Sequence, residues 1–252
     1  MSNAGWVRRE VDVRDLLNRG VKDGEADLQV AEDNEEITAG VRTPFTLWYP
    51  ERVEGPFGLS FDCWIREDDT KILIFLYATG NRGESVSDWK REGKYTEYTS
   101  QMQTYSLGIN RGGHSGTRQF SPFDPEGRDD LANLRRLGLG WSEGHVQRSH
   151  DELKELRSRN PASLGWHTRT WQEWNRASTL CSAQEPESGL DRWIRHTIRC
   201  WPPYIAYSVN DRLVFEIVDH RENPLQEGFI GFRCMSPGKT FRLRRIALEL
   251  PG

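Results

Sequence analysis

The sequence lacks any long apolar run and any apolar leader. No stretch approaches the roughly 18 consecutive apolar residues that a membrane-spanning helix needs. The opening residues, MSNAGWVRREVDV, contain no apolar core of a secretory signal. We therefore expect a cytoplasmic protein without a membrane partner, although a secreted protein that had lost its leader would look the same.

Cysteine is scarce, and familiar nucleotide-binding and hydrolase motifs are missing. The four cysteines show no CxxC spacing, which favours buried free thiols over a zinc site. There is no P-loop, no GxGxxG after a strand and no GxSxG elbow. Positive charge is not in excess either, because the net charge is −4, and this argues against a nucleic-acid partner.

Large aromatic residues, by contrast, are plentiful. The chain of 252 residues contains ten Trp, ten Phe and seven Tyr. Each such side chain buries about 150–250 Å² in a core, so the sequence can form a sizeable one. All-β sandwiches often reach this length as one domain, and we expect a single domain over 1–252.

Alternating apolar residues predict β-strands in the first half of the chain. Every second residue from Phe57 to Ile65 is apolar, which is the period of a strand with one inward face. Trp64 falls on the polar face, where it either packs under a loop or offers a platform for a sugar ring. The run 71–79 is apolar on both faces, as in a central strand, and 104–109 alternates again.

Residues 191–250 return to strand patterns. Asn210-Asp211 joins two of these strands and predicts a hairpin. The inward apolar set changes phase between Leu243 and Ile246, which predicts a β-bulge. Because no βαβ alternation occurs, we predict an all-β antiparallel sandwich of two sheets with Greek-key or jelly-roll connections.

An insertion at about 111–190 interrupts these patterns with loop signals. Leucines at helical spacing predict a short helix over 127–137, and a second short helix is expected over 149–158. Long loops of this kind often serve as lids or binding loops. His167, within the insertion, is a candidate substrate-binding residue.

Three blocks of the sequence carry a family resemblance. IFLYATGNRGE, REGKYTEYTSQMQTYSLGINR and PLQEGFIGFRCMSP resemble the YesU-like family. The resemblance implies a concanavalin A-like jelly roll with no assigned reaction. It also implies a link to pectic polysaccharides such as rhamnogalacturonan, because genes of the family occur beside genes for the enzymes that degrade them. Relatives tend to have His after the Glu-Tyr pair, where this chain has Thr99, and this departure bears on catalysis.

Two carboxylates between the strands at 71–79 and 104–109 are candidate catalytic groups. Glycoside hydrolysis needs an acid and a base or nucleophile about 5–10 Å apart, and Glu84 and Glu97 share one loop. The structural alternative is that both carboxylates pair with neighbouring cations and hold the loop in shape.

The same region also suits a polysaccharide lyase, which removes the C5 proton of a uronate. Tyr98 and Tyr105 are candidate proton-transfer or orienting groups. Arg82, Lys94 and Arg111 are candidate ligands of the uronate carboxylate, which arginine can bind through two hydrogen bonds. Alternatively, the tyrosines simply pack and bond to the backbone.

The remaining candidates are substrate-binding residues outside this loop. Trp48 and Trp64 can stack on sugar rings, and Arg233 alternates toward the concave face of its sheet. A calcium site formed by Asp62, Glu84 and Asp88 is supported only by the residue types, because no EF-hand-like loop is present. We predict no other metal or cofactor.

These features predict a carbohydrate-active protein. We expect a glycoside hydrolase or polysaccharide lyase that acts on acidic plant or algal oligosaccharides, with an oligosaccharide or polysaccharide as partner. A non-catalytic carbohydrate-binding module is an alternative, since fold does not fix function. An intracellular enzyme acting on a modified keto-sugar is another.

Overall fold

A computed structural model describes residues 5–66, 70–88, 91–94, 97–98, 101–111, 131–137, 179–184, 191–220 and 223–252. The elements in chain order are β1 (Trp6–Glu10), α1 (Val13–Arg19), β2 (Lys22–Asp23), β3 (Ala26–Val30), β4 (Glu36–Val41), β5 (Phe45–Trp48), β6 (Val53–Glu54), β7 (Phe57–Ile65), β8 (Thr70–Gly80), β9 (Met102–Arg111), β10 (Leu131–Leu137), β11 (Thr179–Gln184), β12 (Trp193–Trp201), β13 (Tyr204–Val209), β14 (Arg212–Val218), β15 (Glu227–Cys234) and β16 (Thr240–Pro251). Over these ranges no helix is long and apolar enough to cross a membrane.

The strands form two antiparallel sheets, which we call sheet A and sheet B. Sheet A has the order β14-β13-β12-β7-β16-β4-β3, with β1 beside β16. Sheet B has the order β11-β10-β9-β8-β15-β5-β2, with β6 beside β15. Strands distant in sequence are neighbours at the centre of each sheet, as β7 and β16 or β8 and β15 show. This arrangement confirms the predicted all-β sandwich.

The main core lies between the two sheets, and the alternation of β7 builds one side of it. Phe57 and Phe61 are fully buried. The Phe57 ring meets Tyr77 edge-on at a centroid distance of 5.0 Å, and Phe61 meets Phe232 at 5.4 Å. Since side chains alternate across a strand, the predicted inward face of β7 is confirmed.

A second apolar cluster covers the outer face of sheet B. Its buried members are Trp48, Phe75, Ala78, Val86, Tyr98, Met102 and Leu137. Val86 and Tyr98 come from the loop between β8 and β9, so this loop folds over the sheet. Burial on both faces explains why the sequence of β8 is apolar without alternation.

The predicted helix over 127–137 is wrong, because residues Leu131–Leu137 form strand β10 of sheet B. Leucines three apart lie on opposite faces of a strand. Leu134 accordingly joins the core between the sheets, and Leu137 joins the outer cluster. The pattern resembled a helix because both faces of this sheet are apolar. The helix expected over 149–158 lies outside the described residues.

Both predicted local irregularities are confirmed. Asn210 and Asp211 have φ of 44° and 63°, the left-handed pair that a tight hairpin turn requires between β13 and β14. The pairing of β16 with β7 shifts register between Arg244 and Ala247, and Arg245 has φ of 47°. Because of this bulge, the apolar side chains of β16 before and after the shift both point into the core.

The four cysteines are free thiols, and three of them, Cys63, Cys200 and Cys234, are buried. Burial raises the pKa of the Cys200 thiol. Cys181 is only partly buried, and burial raises its pKa to about 11. The prediction of buried free thiols is therefore confirmed for three of the four.

Candidate functional site

The loop between β8 and β9 carries most of the residues that the sequence singles out. Its two ends are close together. The Asn81 amide donates to the Gln101 carbonyl at 3.2 Å, and Gln103 Nε2 donates to the Asn81 carbonyl at 3.0 Å. The loop therefore leaves and re-enters sheet B at one place.

A buried carboxylate, Asp23 of β2, anchors this loop. Its Oδ2 accepts hydrogen bonds from Trp48 Nε1 at 2.7 Å, Arg91 Nε at 2.9 Å and the Tyr98 hydroxyl at 3.0 Å. Arg91 and Tyr98 belong to the loop, whereas Trp48 lies on β5. A buried ion pair is tolerated only when hydrogen bonds compensate for lost hydration, and three donors on one carboxylate oxygen do so.

An aromatic stack completes the anchor. Phe75 stacks on Trp48 at a centroid distance of 5.5 Å and on Tyr98 at 5.3 Å. Trp48 and Tyr98 are both fully buried, so neither ring is open to a sugar in this structure. Burial raises the pKa of the Tyr98 phenol, which keeps it a neutral donor. The geometry gives both residues a role in holding the loop.

Arg233 of β15 holds the backbone of the same loop. Its Nη1 donates to Thr46 Oγ1 at 3.0 Å, and its Nη2 donates to the Gly93 carbonyl at 2.5 Å. Its guanidinium also lies 4.1 Å from the centroid of the Tyr98 ring. Gly93 has φ of 83°, and a Cβ there would lie 2.0 Å from the Pro44 carbonyl oxygen, so only glycine fits. Arg233 does point away from the core, but the loop covers it.

Three predicted site residues remain exposed on the loop: Arg82, Glu84 and Lys94. We call them the loop rim. The Glu84 carboxylate accepts from the Arg82 amide at 2.8 Å. Hydrogen bonds from its own amide and that of Arg82 lower the pKa of Glu84. Lys94 forms an ion pair with Glu92, which raises the pKa of Lys94.

Glu97, the second predicted catalytic carboxylate, binds the backbone of its own loop. Its carboxylate accepts from the Lys94 amide at 2.9 Å and from the Glu92 amide at 3.3 Å. Each glutamate therefore holds a local turn in shape, but it does so by accepting from backbone amides and not through the cationic side chains that the structural alternative names. A catalytic role for the pair stays a prediction.

Tyr105 lies on the opposite face of sheet B, in the core between the sheets. Its hydroxyl donates to Asp219 Oδ2 at 2.8 Å and accepts from the Leu225 amide at 3.2 Å. Arg136 Nη1 also donates to Asp219, at 3.0 Å. Burial, together with the bond to Asp219, raises the pKa of Tyr105. The structure therefore does not bring Tyr105 to the loop rim.

The remaining candidates are dispersed. Trp64 is half-buried on the outer face of sheet A, with the Arg242 guanidinium 5.0 Å from its ring centroid. Arg111 ends β9, and its side chain and His167 lie outside the described residues. Asp62 of the suggested calcium set is surrounded by guanidinium groups on sheet A. That environment does not suit a cation, and no group of three metal-ligating residues occurs in the described part of the chain.

Sequence reasoning missed Asp23 and the role of Arg91. Arg91 is one of the loop cations that the structural alternative would pair with Glu84 or Glu97, but its Nε binds Asp23, which is 68 positions away. Asp23 lies in a two-residue strand, and no spacing or motif marks it. Asp219 was missed for the same reason, because its partners Tyr105 and Arg136 lie on other strands.

Comparison with solved structures shows what this architecture is similar to. A Bacillus subtilis protein of unknown function with a galectin-like fold superposes with a TM-score of 0.68 at 19% identity, covering 100% of this chain and 99% of that one. The Emp47p carbohydrate recognition domain gives 0.56 at 6% identity, with 100% and 99% covered. The VIP36 lumenal domain in its Ca²⁺/Man-bound form gives 0.52 at 8%, with 93% and 83% covered.

These similarities establish the fold as a galectin-like or lectin-like jelly roll and confirm the predicted fold class. No protein-family model and no curated protein matches the chain. At these identities the likeness concerns the fold alone, and function has to be argued from residues.

Proposed function

We propose that the protein recognises acidic carbohydrate at the loop rim. The observation that carries this proposal is the Asp23 anchor, which attaches a polar loop to sheet B through buried hydrogen bonds. Arg82, Glu84 and Lys94 then offer cationic donors for a uronate carboxylate and an acceptor for sugar hydroxyls. Pre-organised loops on a rigid scaffold are common binding sites, and carbohydrate recognition domains share this fold.

The state of Glu84 argues against this residue as the acid of a glycoside hydrolase. Hydrolysis of a glycosidic bond needs a protonated acid beside the leaving oxygen. Hydrogen bonds lower the pKa of Glu84, so this exposed group is a carboxylate at neutral pH. It can accept hydrogen bonds or a proton, but it does not supply one.

Elimination is the second candidate function, favoured by the ionised Glu84 beside Arg82. Glu84 would take the C5 proton of a uronate, while Arg82 binds the sugar carboxylate that stabilises the developing negative charge. A C4–C5 double bond forms as the C4–O bond breaks, and water protonates the departing oxygen. This step uses no cofactor.

The sequence resemblance supports a choice of protein family and of the first ligand to test. We infer membership of the YesU-like family, which the jelly-roll fold supports. Pectic oligosaccharides are then the ligands to test first.

Thermal unfolding with pectic and other uronate oligosaccharides tests the proposal. We expect a rise in Tm that Arg82→Gln and Glu84→Gln both reduce, with Glu32→Gln, an exposed glutamate in a distant turn, as matched control. Rising ultraviolet absorbance from the unsaturated product would identify elimination. If no acidic sugar raises the Tm, or if the two loop variants respond like wild type, the proposal fails.

A further inference from the structure

Three arginines on the outer face of sheet A share one carboxylate. Arg195 Nη1 lies 3.0 Å from Asp62 Oδ1, whereas Arg244 Nε and Arg245 Nε lie 3.2 and 3.3 Å from Asp62 Oδ2. The Asp62 side chain is only 6% exposed, but the arginines are 25%, 27% and 59% exposed. The carboxylate is covered, and positive charge faces solvent.

The β16 bulge creates this arrangement. Arg244 and Arg245 are adjacent in sequence, and a regular strand would point them to opposite faces. The bulge at Arg245, with its φ of 47°, lets both side chains reach Asp62. Left-handed backbone is unfavourable for a residue with a side chain, and irregularities of this kind concentrate at functional sites.

Two tryptophans hold the guanidinium groups in place. The Arg242 guanidinium lies 5.0 Å from the ring centroid of Trp64 and 5.1 Å from that of Trp193. The Arg244 guanidinium lies 4.0 Å from the Trp193 ring. Stacking of this type orients planar cations and leaves their N–H groups directed sideways. Both rings are half-buried, so part of each stays accessible to a ligand.

The charges of this surface do not balance. We call it the Asp62 cluster; its members are Asp62, Trp64, Trp193, Arg195, Arg242, Arg244 and Arg245. Arg242 also pairs with Glu36. Four arginines therefore face two carboxylates, an excess of two positive charges on a chain whose net charge is −4. A local excess on an acidic protein is complementary to an anion.

The geometry points to a second binding surface, on which the Asp62 cluster holds the carboxylates of an acidic polysaccharide. Guanidinium groups bind carboxylates through paired hydrogen bonds, and tryptophan rings pack on the apolar faces of sugars. The surface lies on the other sheet from the loop rim and does not depend on it. The choice of a glycan over other polyanions rests on the proposed function.

Titration calorimetry with an oligogalacturonate at several salt concentrations tests this surface. We expect wild type to show two independent binding events, and Arg244→Gln with Arg245→Gln should weaken one of them at least tenfold and flatten its salt dependence while leaving the other unchanged. The uncharged methyl ester of the same oligosaccharide should bind wild type at least tenfold more weakly. Arg199→Gln with Arg212→Gln removes the same charge from exposed positions of sheet A outside the cluster and should change affinity less than twofold.

Other variants separate this inference from the loop-rim proposal. If the variant with both Arg244→Gln and Arg245→Gln does not fold, Arg245→Gly replaces it, because glycine suits the backbone of the bulge. This single variant should lose at least threefold in affinity. Binding lost in Arg82→Gln and Glu84→Gln but kept in the cluster variants would overturn the second surface and leave the loop rim standing. The reverse result would support the second surface alone. Equal affinity for a DNA duplex or inorganic phosphate would overturn the assignment to a glycan.

Discussion

Arg91 donates from Nε to Oδ2 of Asp23 at 2.9 Å, and both side chains are almost completely buried. Asp23 lies in the two-residue edge strand β2, and Arg91 lies in the long β8–β9 loop. Because Tyr98 and Trp48 bind the same oxygen, one carboxylate connects the loop to sheet B. This connection holds the loop that carries the loop rim against sheet B.

Replacing Asp23 should therefore destabilise the protein strongly. In Asp23→Ala the buried Arg91 guanidinium loses its counter-charge, and losing one partner of a buried pair costs about 3–5 kcal/mol. Urea unfolding measures this free energy. Asp27→Asn is the matched control, because its ion pair with Arg42 is exposed and should contribute less than about 1 kcal/mol. Equal effects of the two substitutions would contradict the anchor.

Gly231 should not tolerate alanine. A Cβ at this position would lie 2.6 Å from Cζ3 and 2.7 Å from Cε3 of Trp48. The Trp48 ring is fixed between Phe75 and the Asp23 bond and cannot retreat. We expect Gly231→Ala to lower the free energy of unfolding by about 1–3 kcal/mol, as overpacking generally does.

Gly40, also in a strand, provides the control for Gly231. A Cβ there would lie 3.8 Å from the nearest atom, an ordinary contact with Asp27. Gly40→Ala should be neutral or slightly stabilising, since alanine loses less backbone entropy. Similar losses in both variants would show that Trp48 moves more freely than its packing indicates.

Alkaline pH should unfold the protein cooperatively through its buried tyrosines. Burial raises the pKa of Tyr77, Tyr98 and Tyr105 in the folded state. Their contribution to stability is complete below the ordinary phenol pKa of about 10. It is lost as pH rises above that value, because the unfolded chain then binds fewer protons than the folded one. Each such group steepens the loss by up to about 1.4 kcal/mol per pH unit.

Unfolding free energies measured between neutral and alkaline pH check this prediction. Tyr105→Phe should reduce the alkaline slope, whereas Tyr204→Phe should change it less because the Tyr204 hydroxyl bonds to Glu216 in an exposed position. Phenolate absorbance should follow unfolding for the buried groups. Ionisation of Tyr105 in the folded protein would contradict the expectation.

The fold was accessible from the sequence because its signals are local. Alternation within 57–65 places β7, the Asn210-Asp211 pair marks a hairpin, and the phase change before Ile246 marks a bulge. Each signal needs only neighbouring residues. The failure at 127–137 has the same origin, since leucines spaced by three fit a helix or a strand that is buried on both faces.

The candidate site was less accessible because its contacts are long-range. Residue types at 84, 94 and 97 indicated a polar loop, but nothing local shows that Asp23 accepts from Arg91. The alternation of β15 predicts that Arg233 points away from the core, and the side chain does lie on that face, against the β8–β9 loop. Its partner in the covering loop is the Gly93 carbonyl, which lies 140 positions away in the sequence. Sequence patterns give the direction of a side chain but not its partner.

Replacement by glycine should affect the stability of the protein differently at Arg245 and at Arg244. Arg245 has left-handed backbone, which costs a residue with a side chain roughly 1–2 kcal/mol. Relief of this strain offsets the entropy cost of glycine, so Arg245→Gly should be as stable as wild type or up to about 1 kcal/mol more stable. Arg244→Gly lacks that relief and loses its packing on Trp193, so it should be destabilised by at least about 0.5–1 kcal/mol.

Chemical unfolding of the two variants, together with oligogalacturonate binding, separates stability from function at this bulge. Both variants remove a guanidinium from Asp62, and both should bind the acidic ligand more weakly. A stable Arg245→Gly protein with weakened binding would show that the bulge places an arginine at a cost to the fold. If Arg245→Gly is instead destabilised as much as Arg244→Gly, the arginine is needed for the bulge itself, because its bond to Asp62 then outweighs the backbone strain.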